Sequence, residues 1–478
     1  MPEPVPMSKA HPRLSPLERA LRLFTDIRAG EGPTALLMFA NVLLILFAYY
    51  LLKPLREGWL AISDVHGFSK LEIKAYTSFA QSLLLVFAAT AYARRVGRWP
   101  RRVLITRTTL FCMSNIAVFW LLQPDFLIRN VSAVGIAFYL WVGMFGVFVV
   151  AQFWAFAADL YSQERGNRLL PMIAVGATSG AMLGSGLENQ LVAHHWLEPR
   201  YLLLAALPPL ALSVWLTRVV DRAEGGVGKA EQSGFQSPVR DGRGALPLVF
   251  GNRFLLAIAG ITLLFNWVKT NGDNQLFAAV QEALGHQVAL LGISGDPAVH
   301  AFVHDGTTAF FGNFFFWQNA AALLLQSLVA SRLLKHGGFG AIFLLLPTIA
   351  MVSNAAMAFL PILWVIKSMK VAENATDYSI NNTARHVLWL PMSEEVTFKA
   401  KPTIDSIFFR VGDGFAALTA MVGVQVLSWA VRSYFLMNVV LAAVWLAVGL
   451  WVVREHARLA GDDGAADPGP PVRARVAG

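Results

Sequence analysis

Residues 35–52 read ALLMFANVLLILFAYYLL, eighteen consecutive residues without a charged side chain. An α-helix needs roughly 20 predominantly apolar residues to cross the hydrocarbon core of a bilayer. Comparable runs recur along nearly the whole chain, which has 478 residues, 56% of them hydrophobic and only 14% charged. A soluble core cannot absorb so much apolar sequence. The sequence therefore predicts an all-α integral membrane protein.

Twelve spans fit the apolar runs when hydropathy is averaged over about 19 residues. Six lie near residues 34–58, 75–93, 103–122, 131–156, 169–192 and 201–220, and six near 250–271, 310–334, 339–362, 363–388, 403–430 and 434–454. Residues 1–33 are predicted to be a cytoplasmic segment, 34–220 and 247–454 the two six-helix halves, and 455–478 a disordered cytoplasmic tail. Residues 221–246, rich in glycine and charge, are predicted to be a cytoplasmic linker.

The charges of the loops predict the orientation. The loop at 94–102 carries five arginines, whereas the next one, near 124–130, carries only Arg129. The positive-inside rule therefore places the 94–102 loop and both termini in the cytoplasm, and we expect the inner membrane of a bacterium. The same rule accounts for most of the net charge of +9, so nucleic acid is not expected as a partner. Residues 1–33 lack the apolar run of a cleavable signal peptide.

The two halves resemble each other in sequence. Residues 49–57 (YYLLKPLRE), which end the first span, are echoed by residues 265–273 (FNWVKTNGD), which end the seventh. The glycine-rich residues 176–184 of the fifth span are likewise echoed by 412–423 of the eleventh. Two six-helix halves around a midplane site are the architecture of the major facilitator class, which is the fold we expect here.

Charged residues inside spans are functional candidates, because they cost roughly 2.5–3.5 kcal/mol each at the bilayer centre. Lys53, Arg56 and Glu57 flank Pro54 at the end of the first span. They are either interfacial anchors whose stems snorkel or a cationic clamp at a proline kink. Lys269 and Asp273 recur at the equivalent place in the seventh span, which favours a binding site.

The fifth and tenth spans contain further candidates. Ionisable residues of the tenth span are three or four apart, which predicts one helix face that lines protein or water; the alternative is a solvated loop. Its ionisable residues are Lys367, Lys370, Glu373, Asp377 and Arg385. Glu188 in the fifth span is a candidate for a buried, titrating carboxylate. Gly176, Gly180 and Gly184, spaced by four, predict close helix packing there.

Other residues constrain the chemistry. Asp159, with Arg165 and Arg168 close behind it, is expected to form a cytoplasmic gating network. The segment 272–310 is expected to be an outward loop with three histidines, His286, His300 and His304, which give no basis for a bound metal. A phosphate-cradling loop and the usual hydrolase motifs are missing from the sequence. We therefore expect neither an enzyme nor a cofactor, and Cys112, the single cysteine, excludes an internal disulfide.

Three stretches together resemble the ATP:ADP antiporter family, the bacterial and plastid non-mitochondrial nucleotide translocases. They are residues 49–57; residues 153–159 (FWAFAAD) with 168–180; and residues 377–385 (DYSINNTAR) with 390–395 and 399–405 (KAKPTID). The resemblance covers both halves. It implies a major facilitator-like fold and exchange of nucleotides such as ATP and ADP, with Lys53, Arg56, Lys399 and Lys401 as substrate contacts.

The sequence differs from the pattern of that family at two positions, and these differences leave the identity of the solute open. Residues 141–143 (WVG) of the fourth span contain no acid, and Lys269 lies near the position of a second expected glutamate. The leading hypothesis is exchange of a nucleotide or a related phosphate-bearing anion by a monomer, bound by Lys53, Arg56, Lys269, Lys399 and Lys401. Glu57, Asp159, Glu188, Asp377, Arg385 and Asp405 would serve gating or coupling. The alternatives are proton-coupled transport of another solute and a non-transporting membrane sensor or assembly protein.

Overall fold

A computed structural model describes residues 15–22, 25–96, 101–123, 132–224 and 245–465, and the regular structure in these ranges is helical. Its first helices are α1 (Pro16–Leu21), α2 (Gly32–Ala61), α3 (Lys70–Val96), α4 (Arg101–Leu121), α5 (Ser132–Leu160) and α6 (Gln163–Ala193). A 3₁₀ turn at Pro199–Tyr201 leads into α7 (Leu202–Ala205) and α8 (Leu207–Ala223).

The later helices are α9 (Ala245–Gly251), α10 (Arg253–Leu291), α11 (Asp296–Leu324), α12 (Ala330–Phe359), α13 (Leu363–Thr376), α14 (Asn382–Val387), α15 (Glu394–Thr403), α16 (Phe409–Met421) and α17 (Val431–Ala465). Four π-helical segments either connect two helices or follow the end of a helix. They are Leu325–Val329, Asp377–Asn381, Ile404–Phe408 and Val422–Val426. Such segments often occur at functional sites.

Nine helical segments in the described part of the chain are long and apolar enough to cross a membrane. One of them, Asp296–Phe359, has 64 residues and is too long for a single crossing. Gly338, with φ 67° and ψ −170°, breaks it into two. α3 and the α13–α14 pair are also long enough to span, but their charged residues lower their hydropathy. The helices of the described residues that are long enough to span a membrane therefore number about twelve. The predicted all-α, multi-pass fold is confirmed.

The expectation of an outward loop at 272–310 is wrong. α10 runs on to Leu291 and α11 begins at Asp296, so His286, His300 and His304 lie on helices. The polar residues of this segment lower its hydropathy, but its alanines, leucines and glutamines favour a helix. Gly292 and Gly295, both with positive φ, form the short turn between the two helices.

Other boundaries also differ from the expected ones. α3 begins at Lys70, not near residue 75, and α17 continues to Ala465. Residues 455–465 are thus part of a helix, while the rest of the expected tail lies outside the described residues. The same holds for residues 1–14, for 225–244 of the linker and for 97–100 of the arginine-rich loop.

Polar residues and proline mark where several helices begin. Pro33 lies in the first turn of α2, where its missing N–H has no partner to lose. The hydroxyl of Ser162 accepts a hydrogen bond from the Arg165 N–H at the start of α6. The side-chain oxygen of Asn252 accepts from the N–H groups of Phe254 and Leu255 at the start of α10. These caps satisfy amides that the helices leave unpaired.

The chain divides into two compact units, each described by itself. The first comprises Met1–Ser237 and Phe277–Leu323, and thus the end of α10 and nearly all of α11. Within it, α2 packs on α5, α6 and α8. A Cβ added at Gly180 of α6 would meet the backbone of Leu43 on α2, and Gly176 and Gly184 approach α2 in the same way. The predicted packing through small residues is confirmed.

The second unit comprises Pro238–Leu276 and Leu324–Gly478. Within it, α12 packs along α17, and the core is built from buried residues of α10, α12, α14 and α17. Gly412 of α16 lies against the carbonyl oxygen of Leu263 on α10, much as Gly180 lies against Leu43. This parallel fits the sequence echo between the two halves.

Candidate functional site

Three charged residues of α2 are enclosed by the first unit. The exposed fractions of Lys53, Arg56 and Glu57 are 9%, 8% and 2%. α2 continues past them to Ala61, with Pro54 in its interior. Side chains buried in this way do not snorkel to an interface. This burial favours the cationic clamp over the interfacial anchor, and a binding role stays a prediction.

Lys74 of α3 completes this cluster. Its ammonium forms an ion pair with the carboxylate of Glu57 and lies 2.9 Å from the hydroxyl of Tyr139 on α5. The same carboxylate accepts a hydrogen bond from Nε of Arg56 at 3.2 Å, and the Arg56 guanidinium lies over the Tyr139 ring. Two buried cations therefore share one carboxylate. We call Arg56, Glu57, Lys74 and Tyr139 the α2–α3 cluster.

Aromatic rings surround Lys53 one turn earlier on α2. Its ammonium lies 4.1 Å from the centroid of Phe315 on α11 and 4.8 Å from that of Tyr50. Tyr49 is also close, at 5.9 Å. Cations are attracted to the faces of such rings. The neighbourhood of the α2–α3 cluster thus combines positive charge with flat aromatic surface.

In the second unit, Lys269 lies well inside α10, which continues past it to Leu291. Its ammonium lies 2.5 Å from Oδ2 of Asp377, the first residue of the π-helical segment Asp377–Asn381. Asn381 donates to the other oxygen of Asp377 at 2.9 Å. The predicted basic residue of the seventh span and the predicted acid of the tenth are therefore brought together.

Lys370, on α13, is the most enclosed cation of this region, with an exposed fraction of 0%. Its ammonium lies 2.9 Å from Glu373 and 3.1 Å from Asp273. Glu373 also accepts a hydrogen bond from the side-chain amide of Asn354. The amide oxygen of Asn354 accepts from Asn438 at 3.0 Å, and the amide oxygen of Asn438 accepts from Asn271 at 2.8 Å. This network ties α10, α12, α13 and α17 together.

A small cavity borders these two ion pairs. Lys269, Glu373, Asn374 and Asp377 line it on the polar side, with Phe265 and Trp445 among the apolar neighbours. Around it two lysines, Lys269 and Lys370, face three carboxylates, those of Asp273, Glu373 and Asp377. The spacing seen in the tenth span thus does produce a face that lines protein, as predicted.

The remaining predicted basic residues of the second unit lie elsewhere. Arg385 pairs with Asp405 at 2.5 Å, and Lys401 is close enough to His386 to act on it electrostatically. Arg385 follows Asp377 by eight residues, roughly 12 Å along a helix. Lys399 lies on α15, one turn before the C-terminal end of that helix. Lys401 therefore lies near His386, about two turns of helix beyond Asp377.

The ends of α2, α6 and α8 are joined by an ion-pair network. Arg165 binds both oxygens of Glu224 at 2.7 and 2.9 Å, and Arg168 binds both oxygens of Glu31 at 2.9 Å. Hydrogen bonds from Arg165 hold the pKa of Glu224 below its usual value, against the opposing effect of burial. Asp159, which the sequence suggested for this network, is exposed; its gating role stays a prediction.

Several site residues escaped sequence reasoning. Lys74 directly precedes residue 75, near which the apolar run of the second span begins. Tyr139 and Phe315 are ordinary aromatic residues in apolar runs, and nothing in their spacing sets them apart. Ser69 and Glu72 exchange capping hydrogen bonds at the start of α3. This pair, recognised in the sequence, would have predicted an earlier start for the helix, with Lys74 inside it.

Fold and site define the class as a multi-pass helical membrane protein of the major facilitator fold. The chain is similar in structure to the human organic anion transporter TETRAN, at 15% sequence identity and a TM-score of 0.53, over 88% of this chain and 100% of that one. It is also similar to an auto-inhibited peptide transporter of the POT family (12% identity, TM-score 0.60, 89% and 97%) and to the nucleoside transporter NupG (13%, 0.57, 88% and 99%).

At these identities the likenesses show the fold alone. No protein-family model matches the sequence, and no characterised protein matches it by sequence. The major facilitator-like fold is confirmed, whereas membership of the ATP:ADP antiporter family stays a prediction.

Proposed function

We propose that the protein is a secondary transporter that moves a phosphate-bearing anion, a nucleotide in the first instance, by alternating access. The observation that carries this proposal is the sharing of Glu57 by two buried cations, Arg56 and Lys74. One carboxylate neutralises only one of them. A bound phosphate would supply the second negative charge and would be held by charge-assisted hydrogen bonds.

The aromatic rings near the cluster suit the other half of a nucleotide. Tyr49, Tyr50 and Phe315 surround Lys53, and Tyr139 lies between Arg56 and Lys74. Nucleobases stack on aromatic side chains with roughly 1–3 kcal/mol per base. A solute with phosphates at one end and a flat ring at the other matches both properties.

Within the second unit, the Lys269–Asp377 ion pair is proposed to open during transport. We propose that Lys269 contacts the solute when it releases Asp377, and that Lys370 keeps the surrounding carboxylates in place. Lys399 and Lys401 are proposed to contact phosphate at a separate position near Arg385 and Asp405. The resemblance to nucleotide translocases supports these roles at Lys53, Arg56, Lys399 and Lys401.

Analogy of fold supports transport in general. The structural neighbours carry, by their descriptions, an organic anion, peptides and nucleosides. The sequence lacks a loop for nucleotide hydrolysis, so the proposal is exchange, not pumping. From the loop charges we further propose that both termini lie in the cytoplasm. The resemblance to bacterial nucleotide translocases supports a location in a bacterial inner membrane, and we propose that the protein acts as a monomer.

Proton-coupled transport of a different solute is the second candidate, and the buried carboxyl group of Glu188 favours it. A non-transporting sensor or assembly protein would share the fold but need no displaceable solute. Thermal unfolding in detergent tests the nucleotide proposal against both. ATP, ADP, the corresponding nucleoside and inorganic phosphate are each added to the purified protein.

A ligand that binds only the folded form stabilises it by about 2.7 kcal/mol at a hundredfold excess over Kd. We expect ATP and ADP to raise the melting temperature, the nucleoside and phosphate to raise it less, and Lys74→Gln to abolish the effect. Lys70→Gln is the matched control, because Lys70 lies one turn earlier on α3 and pairs with Asp64 instead. A panel without any shift would refute the nucleotide proposal.

A further inference from the structure

Glu188, near the C-terminal end of α6, has a fully buried side chain. Neither of its carboxyl oxygens has a hydrogen-bond partner among the described residues. Opposite lies Gly312 of α11, and a Cβ added there would collide with the Glu188 carboxyl group. The carboxyl group thus occupies the space that this glycine leaves open, at a direct contact between α6 and α11.

The polar groups next to Glu188 are engaged with other partners. Asn189 donates to the carbonyl oxygen of Ala309 at 2.9 Å, and Asn313 donates to Asn189 at 3.3 Å. The Ser185 hydroxyl donates to the carbonyl oxygen of Ala181 at 2.7 Å. None of these donors points at the Glu188 oxygens. A sodium ion would need several converging oxygen atoms, and the two of one carboxyl group do not make such a set.

Charged groups on the neighbouring helices do not pair with Glu188 either. On α2 the ammonium of Lys53 lies over the ring of Phe315. On α11 they are His304 and Asp305, which contact each other at 2.7 Å, two turns before Gly312. On α5 residues 132–158 contain no charged side chain. Within the described residues, then, no cation forms an ion pair with this carboxyl group.

We propose that Glu188 is a proton-binding site, and that its protonated form holds α11 against α6. An ionised carboxylate without a donor or counter-ion is strongly disfavoured in an apolar interior. A protonated carboxyl group is neutral and brings its own donor, which backbone carbonyl oxygens can accept. When the proton leaves, the charge needs water or a cation, and the contact with α11 must open to provide it.

Proton binding and the docking of α11 are therefore linked. Because the docked form binds the proton more tightly than the open form, the proton in turn favours docking by the same factor. The segment that responds is Phe277–Leu323, which belongs to the first unit. Its chain continues at Leu325–Val329 into a π-helical segment. The proton site does not depend on which solute the protein carries.

Two measurements on the full-length protein test this. Infrared difference spectroscopy between acid and alkaline pH reports the carbonyl stretch of protonated carboxyl groups. Hydrogen exchange reports the protection of α11, after correction for the pH dependence of intrinsic exchange. The variants are Glu188→Gln, the control Glu72→Gln, which removes a buried carboxyl group that accepts from Ser69, and His304→Gln.

We expect Glu188→Gln to remove a protonated-carboxyl band that Glu72→Gln leaves in place. Protection of α11 should fall about tenfold or more as the wild-type protein loses that proton, and it should not change with pH in Glu188→Gln. An infrared spectrum unchanged by Glu188→Gln would overturn the proposal. So would a pH dependence of α11 that persists in Glu188→Gln but disappears in His304→Gln.

Discussion

Lys74 of α3 forms an ion pair with Glu57 of α2, and the same carboxylate also accepts a hydrogen bond from Arg56, its neighbour in the chain. Each of the three side chains is buried. Removing the carboxylate would leave two cations enclosed without a counter-charge, whereas removing one cation leaves a matched pair. This asymmetry makes the cluster testable.

Glu57→Gln should destabilise the ligand-free protein by about 3–5 kcal/mol, the cost of leaving a buried charge uncompensated. A phosphate-bearing ligand should recover part of this loss, because it replaces the missing negative charge. Asp64→Asn is the control, since Asp64 pairs with Lys70 at an exposed position, where ion pairs contribute about 0–1 kcal/mol. Thermal unfolding with and without ligand measures both. Equal losses in the two variants would contradict the assignment.

Lys370→Gln should destabilise the second unit by a similar amount, about 3–5 kcal/mol, because Asp273 and Glu373 would lose the cation between them. Lys367→Gln, one turn earlier on α13, should cost less, since Lys367 is only partly buried. Denaturant or thermal unfolding compares the two. If both substitutions cost the same, Lys370 does not hold the network together.

The Arg165–Glu224 pair predicts a pH dependence of stability. The pKa of Glu224 is lowered by the hydrogen bonds from Arg165, so this pair stabilises the folded state fully above pH 4.5, the usual value, and the contribution is lost as the pH falls through the lowered pKa. Glu224→Gln should cost about 1.5–3 kcal/mol near neutral pH and less in acid. Asp159→Asn, at an exposed position, is the control and should cost less; an equal loss of stability near neutral pH would contradict the assignment to Glu224.

Gly180→Ala tests the contact between α2 and α6. The added methyl group would meet the backbone of Leu43, so we expect a loss of about 1–3 kcal/mol. Gly260→Ala on α10 is the matched control, because no atom lies within 4 Å of its added Cβ. That substitution should be neutral or stabilise by about 0.5–1 kcal/mol. A comparable loss at both positions would mean that the small-residue contact is not what matters.

Sequence reasoning recovered the fold because apolar length is a direct consequence of bilayer thickness. It also placed Lys53, Arg56 and Glu57 in a helix. It identified Lys269 and Asp377 as candidate functional residues, because charged side chains within apolar runs are easily recognised. It failed at residues 272–310, where α10 and α11 continue as helices whose side chains are buried near residue 275 and mostly exposed at residues 285–298. Low hydropathy there does not mean the absence of a helix.

Partners could not be deduced in the same way. The contact of Lys74 with Glu57 joins residues 17 positions apart on different helices, and that of Arg165 with Glu224 spans 59 positions. Such pairs depend on how helices pack, for which one sequence carries no distance information. The ion-pair network at the ends of α2, α6 and α8 accordingly contains Glu31 and Glu224, which sequence proximity had not suggested.

The most direct test of the central claim is counterflow in proteoliposomes. Vesicles containing the purified protein are loaded with unlabelled ADP, and the uptake of labelled ATP is followed for the wild type, Lys74→Gln and Lys70→Gln. We predict uptake by the wild type and Lys70→Gln and its loss in Lys74→Gln. Uptake by Lys74→Gln at the wild-type rate, or no uptake by the wild type, would contradict nucleotide binding at the α2–α3 cluster.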